Sequence, residues 1–167
     1  MRRFGKNILA VLAAALVTGA ILSSASLAAE ATFVGASKCK MCHLNEHKIW
    51  SAHSHAKAFE VLKIEEQKMP ECVGCHTTGA GKPAAAEADL AGVGCESCHG
   101  PGSLYKAMDV MNKSKYQADR PAAHARSVEM GLIIPDEKTC VTCHNSKSPT
   151  FKGFDFAAAK EKIKHWK

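Results

Sequence analysis

The chain has 167 residues and a formal net charge of +6 at neutral pH, but Arg2, Arg3 and Lys6 supply three of those charges, leaving about +3 for the remainder. No basic stretch interleaved with aromatics follows, which excludes a nucleic-acid-binding role inferred from charge. Eight cysteines and nine histidines stand against two Trp, two Tyr and six Phe, so ligating groups are plentiful and core-filling aromatics are scarce.

In chain order, Arg2, Arg3 and Lys6 precede an apolar run from Ile8 to Leu22, and Ser26-Leu27-Ala28 offers a small-x-small cleavage site. This reads as a secretory signal peptide over residues 1–28, followed by a single domain over 29–167. No basic stop-transfer cluster follows the apolar run, so no stable membrane insertion is expected after cleavage. The arginine pair lacks the rest of a twin-arginine signal, and no cysteine lies near the cut for lipid attachment. The expected route is general secretion to the periplasm or the cell surface.

Ser37 is placed to cap a helix at Cys39-x-x-Cys42-His43. From Cys42 to Ile64 the sequence holds good helix formers with neither Gly nor Pro, so one long helix is expected, ended by Met69-Pro70. It would carry His43, His47, His53 and His55, with His47 one turn from His43 and His55 about 120° around from it. Cys72-x-x-Cys75-His76 lies in a glycine-rich stretch, Gly74 to Gly81, and reads as a loop. Ala84 to Ala91 is a candidate short helix. Gly92 and Gly94 lead into Cys95-Glu96-Ser97-Cys98-His99, and Gly100-Pro101-Gly102 turns the chain away. A short helix is expected from Leu104 to Met111 and a polar surface loop from Asn112 to Arg120. Pro121 suits the first turn of a helix that carries His124 and ends at Gly131. Cys140-x-x-Cys143-His144 follows Pro135, and Asp155 is placed to cap a last helix, Phe156 to Trp166, near His165.

C-x-x-C-H is the attachment signature of c-type haem: two thiols add to the vinyl groups and the adjacent histidine binds iron. Four copies consume all eight cysteines: Cys39/Cys42/His43, Cys72/Cys75/His76, Cys95/Cys98/His99 and Cys140/Cys143/His144. Zinc ribbons or a disulfide framework would also use paired cysteines. Neither needs a histidine after the second cysteine every time. Four haem c groups are therefore expected, with His43, His76, His99 and His144 as proximal iron ligands. A chain this short has a radius of gyration of about 14 Å, so four macrocycles must lie close together and replace much of the side-chain core. The expected fold is mainly α with extensive loops and little or no β. Four irons each want a sixth ligand, and five histidines remain. His55, His124 and His165 are the expected distal ligands, His47 is a further candidate, and His53 is the weakest of the five. Met41, Met69, Met108, Met111 and Met130 read as packing residues, and Trp50 and Phe59 as packing against porphyrin or core.

Several stretches resemble the tetrahaem cytochrome c-554 family: Trp50 followed by His55-Ala56-Lys57-Ala58, then Cys72-Val73-Gly74-Cys75-His76, then Gly92-Val93-Gly94-Cys95-Glu96-Ser97-Cys98-His99-Gly100-Pro101-Gly102, and the closing Ile163-Lys164-His165. The resemblance implies a periplasmic electron shuttle with haems in close pairs and redox partners, soluble or membrane-bound, of the hydroxylamine oxidoreductase type. It also implies histidine on both sides of three haems and an open face on the haem of the second motif. The family chain is longer, between the first two motifs and at the C-terminus. Many relatives place a distal histidine shortly after Gly-Pro-Gly. Tyr105 stands nearby here, and His124 is the only histidine between the third and fourth motifs. His47 and His53 have no counterpart in the type member, and His47 is the residue expected to close the second iron. The expected function is electron transfer with no catalytic residues. The alternatives are a small reductase of nitric oxide, nitrite or hydroxylamine at an open iron, and a subunit of an extracellular haem filament.

Overall fold

The computed structural model describes residues 30–79 and 88–165. The signal-peptide reading of residues 1–28, the first half of the helix expected from Ala84 to Ala91, and Trp166 lie outside them; the described second half holds only a single 3-10 turn, Ala88–Leu90. Among the described residues there are eight short α-helices: α1 (Ala36–Lys40), α2 (Leu44–Ala52), α3 (Pro70–His76), α4 (Cys95–His99), α5 (Lys113–Ala118), α6 (Arg120–Glu129), α7 (Glu137–Val141) and α8 (Phe156–Ile163). Extended pairing among them is limited to isolated bridges from Thr77 to Ala91 and Gly92. Among the described residues the fold is therefore mainly α without strands, as expected.

A buried carboxylate organises the first half. Glu96, on α4, is 2% exposed. Its carboxylate accepts the backbone N–H groups of Val34 (3.0 and 3.1 Å), Gly35 (2.8 Å) and Gly102 (2.6 Å). One side chain thus binds the segment entering α1 to the turn leaving α4. Gly100 and Tyr105 complete that turn. Gly100 has φ +76°, and a Cβ there would stand 2.8 Å from the Gly131 carbonyl oxygen, so only glycine fits. The buried Tyr105 donates its hydroxyl to the Gly100 carbonyl at 2.9 Å.

Ser37 does not cap α1. Gly35 occupies the cap position, and Ser37 gives its amide and hydroxyl to the Asp89 carboxylate (3.1 and 2.5 Å). Asp89 therefore serves from a distant segment the amides that a local cap would serve. Thr78 is a second hub. Its hydroxyl donates to the Gly92 carbonyl at 3.0 Å and accepts the Gly94 amide at 2.9 Å.

The long helix expected from Cys42 to Ile64 stops at Ala52. His53 is extended (φ −83°, ψ 153°), and a tight turn at Ser54–Lys57 follows. Tertiary hydrogen bonds override helix propensity here. The Trp50 indole donates to the Val93 carbonyl at 2.9 Å, and the Val93 amide donates to the His55 carbonyl at 2.9 Å. The second motif, expected in a loop, forms α3. Pro70 opens it and helical hydrogen bonding tolerates Gly74. The helix expected from Leu104 to Met111 is a series of turns instead, drawn inward by Tyr105 and Val110, both buried. The expected loop from Asn112 to Arg120 contains α5, capped by the Asn112 side chain and joined to α6 by a 2.6 Å Tyr116–Ser127 hydroxyl contact. Pro121, Gly131 and the Asp155 cap take their expected places.

Replacing Glu96 by Ala should destabilise the holoprotein by about 3 kcal/mol or more, because three amides, two of them buried, lose a charged acceptor. Glu96→Gln, which keeps one acceptor oxygen, should lose less. Denaturant unfolding monitored by haem absorbance checks the order; an unchanged midpoint for the alanine variant contradicts it.

Candidate haem-binding sites

Each C-x-x-C-H unit winds as one helical turn. In the first, the His43 amide donates to the Cys39 carbonyl at 3.0 Å; in the fourth, the His144 amide donates to that of Cys140 at 3.0 Å. The second and third motifs lie wholly inside α3 and α4. Residues three apart on a helix share a face, so each turn presents its two thiols together with the histidine next to them.

The imidazoles are oriented by backbone carbonyls. His76 Nδ1 bonds the Ala58 carbonyl at 2.5 Å, His99 Nδ1 that of Ile133 at 3.2 Å, and His165 Nδ1 that of Ile163 at 3.0 Å. A proton held on Nδ1 leaves Nε2 as the free donor atom for iron, the arrangement of metal-binding histidines generally. The His99 link is reciprocal, since the Ile133 amide donates to the His99 carbonyl at 2.9 Å. Burial, with smaller contributions from His53 and His144, holds His55 down at about 4. Burial also lowers His99, against the raising effect of the Ile133 hydrogen bond. Both rings are therefore neutral at neutral pH, the form that ligates metal.

Two ring pairs lie close together, the first tilted at 55° and the second edge-on at 89°. His55 and His144 have centroids 5.9 Å apart, and His99 and His165 are 6.0 Å apart. Two imidazoles on opposite sides of one metal, at metal–nitrogen distances of about 2 Å, have ring centres about 6 Å apart. His76 is in no ring pair among the described residues, and His43 lies close enough to His99 to lower it. His47 is half-buried with its ring edge-on to Trp50 at 5.1 Å. His124 is exposed on α6. Tyr105 spends its hydroxyl on Gly100, as described above.

Thiols of different motifs adjoin. Cys39 and Cys95 lie close enough to shift one another, Cys39 up and Cys95 down. Cys75 is raised by burial and then by the neighbouring Cys143. Burial, then Cys140 and Cys143 beside it, push Cys98 up to about 11. Thiols of the first and third motifs are thus near one another, as are those of the second and fourth, and the fourth motif lies within electrostatic reach of the third.

The residues fit haem c better than the alternatives. All eight cysteines are free thiols, and among the described residues no group of three or more His, Cys, Asp or Glu side chains converges as a zinc site would. The buried apolar set among them is only Ala36, Val73, Leu90, Tyr105, Val110 and Ala123, while residues such as Met41 are as much as 78% exposed. So small a core does not stabilise a domain of this size, and apolar macrocycles held by the four motifs would complete it. Sequence reasoning missed Phe154, stacked on His144 at 4.8 Å and 20°, for which no local signal existed. It also missed Glu96, which did have a signal: a carboxylate among glycines whose bare amides need an acceptor.

The family model described as "Cytochrome c554 and c-prime" matches residues 38–100, which hold the first three motifs. The chain is 32% identical to cytochrome c-554 of Nitrosomonas europaea over a 166-residue alignment covering 86% of this chain and 70% of the relative. Its fold is similar to that of the reduced state of cytochrome c554 from the same organism, with a TM-score of 0.52, 29% identity, and coverage of 77% of this chain and 73% of that one. The chain therefore belongs to the cytochrome c-554 family, as a multihaem c-type cytochrome that carries electrons on covalently bound haem.

Proposed function

We propose that this chain is an exported tetrahaem carrier, working in the periplasm between redox proteins and having no substrate of its own. The observation that supports the reading is that thiols of different motifs come close, Cys39 by Cys95 and Cys75 by Cys143, with the fourth motif within electrostatic reach of Cys98. Attachment points drawn together across all four motifs suit transfer from one surface to another rather than chemistry at one centre. Bound haem supplies reversible one-electron chemistry at iron. The polypeptide holds it through Cys39, Cys42, Cys72, Cys75, Cys95, Cys98, Cys140 and Cys143, with His43, His76, His99 and His144 on the proximal side. His55 opposite His144 and His165 opposite His99 are the assigned distal ligands, supported by the 5.9 and 6.0 Å ring spacings. His124 is the distal candidate for one of the two remaining irons and His47 for the other. Two-histidine ligation favours ferric iron relative to histidine–methionine and so keeps potentials low. The relatives named above are redox proteins by their names, and a partner of the hydroxylamine oxidoreductase type accords with the family.

A second reading, reduction of a small nitrogen oxide at an open iron, draws on one observation: no imidazole faces His76 among the described residues. It would make the second motif the reactive site.

Mass spectrometry of the purified protein should show four covalently bound haems on a chain lacking about its first 28 residues. A colourless, zinc-loaded protein would overturn the reading. His55→Ala and His165→Ala should each convert one low-spin haem in four to high-spin and raise its potential, through loss of a strong nitrogen donor. Spectra unchanged from the parent would refute those two assignments.

Carbon monoxide added to the reduced protein separates the two functions. Binding to no haem in the parent, with one equivalent appearing in His47→Ala, supports a closed carrier. Rapid binding of one equivalent in the parent supports the reductase.

A further inference from the structure

We propose that His53 is a positioning residue: its imidazole ends α2 and thereby aims the His55 ring at His144. The inference rests on the reading of His55 as a distal ligand. Nothing in the local sequence stops the helix, since residues 42–64 contain neither glycine nor proline. The chain nevertheless leaves helical geometry at His53, with ψ 153°.

The side chain of His53 supplies the reason. Its Nδ1 accepts the backbone N–H of His55 at 3.2 Å. This is the service that Ser, Asp or Asn performs at a helix N-cap, where a side-chain acceptor satisfies an amide two or three residues on. An α-helix continued through residue 53 would instead direct the His55 amide to the Ser51 carbonyl. In the observed turn the His55 carbonyl accepts both the Ala58 amide at 3.2 Å and, from across the fold, the Val93 amide at 2.9 Å. The cap and the Val93 bond therefore select the same backbone, one from within the segment and one from across the fold. That backbone places the His55 ring 5.9 Å from His144.

The tautomer follows from the cap. An imidazole that accepts on Nδ1 carries its proton on Nε2. His53 in this state offers iron no lone pair at Nε2, although its ring lies only 4.8 Å from that of His55. The two histidines hold different roles, one ligating and one holding the ligand.

The test uses the holoprotein and reads spin state and carbon monoxide uptake. His53→Ala removes the acceptor and favours continued helix. Part of one low-spin haem should become high-spin, and carbon monoxide capacity should rise by up to one equivalent over the parent. His53→Asn and His53→Ser restore an acceptor and should return the parent spectrum. If the alanine variant does not mature, His53→Leu, helix-forming and without an acceptor, carries the same expectation. His55→Ala is the control. If it leaves the spectrum unchanged, the ligand assignment itself fails. If it alters the spectrum while His53→Ala or His53→Leu does not, or if Asn and Ser fail to rescue, the positioning role is overturned and the ligand assignment stands.

Discussion

A buried carboxylate with three backbone amides pointed at it is the constraint on which the first half of this structure depends. Removing Glu96 from water costs several kcal/mol, and hydrogen bonds to a charged acceptor return about 1.5–3 kcal/mol each. The amides of Val34, Gly35 and Gly102 provide them. Once made, these bonds leave little freedom nearby. The chain must enter α1 beside the turn that leaves α4, which brings Cys39 against Cys95. Two attachment sites separated by more than fifty residues become neighbours because one side chain between the thiols of the third motif serves both segments. The glycines around it admit this geometry, since a Cβ at Gly102 would stand 2.9 Å from the carboxylate.

The second organising theme is the use of backbone carbonyls to aim imidazoles. Ala58, Ile133 and Ile163 each accept from an Nδ1 atom, and His55 is held through its own backbone by Val93. A polypeptide with so few buried apolar residues has limited means of fixing rings by packing. Hydrogen bonds take over that task, and Phe154 stacked on His144 is the exception. The ligand-bearing segments are therefore also the bracing segments. This explains why helices are short and irregular connections numerous: each turn ends where a ring or thiol has been delivered.

Local sequence rules worked where the cause was local. Pro121 opening α6, Gly131 after it and Asp155 capping α8 all act within one turn of chain. The rules failed where the deciding partner was distant. Ser37 is read as a cap, yet its amide is served by Asp89, fifty-two residues away. The run from Cys42 to Ile64 is uniformly helix-forming, yet Val93 and the His53 ring break it. Gly74 suggests a loop, but α3 forms because Pro70 opens it and the motif itself needs one helical turn. Residues 104–111 look helical but turn inward at Tyr105, whose hydroxyl finds Gly100.

The sequence by itself carried the chemistry: covalent attachment needs two thiols and a histidine within one turn, so four repeats of C-x-x-C-H point to haem c and nominate the residues that would anchor it. It also determined the mainly helical character, because short capped segments without alternating patterns have no route to a sheet. Only the tertiary structure decided which motif lies beside which, and which of the remaining histidines faces a motif histidine. Those relations depend on contacts spanning tens of residues, such as Glu96 with Val34 and Trp50 with Val93. Periodicity and spacing report on a single turn of chain and carry no information about the distant backbone amide or carbonyl that a side chain will meet.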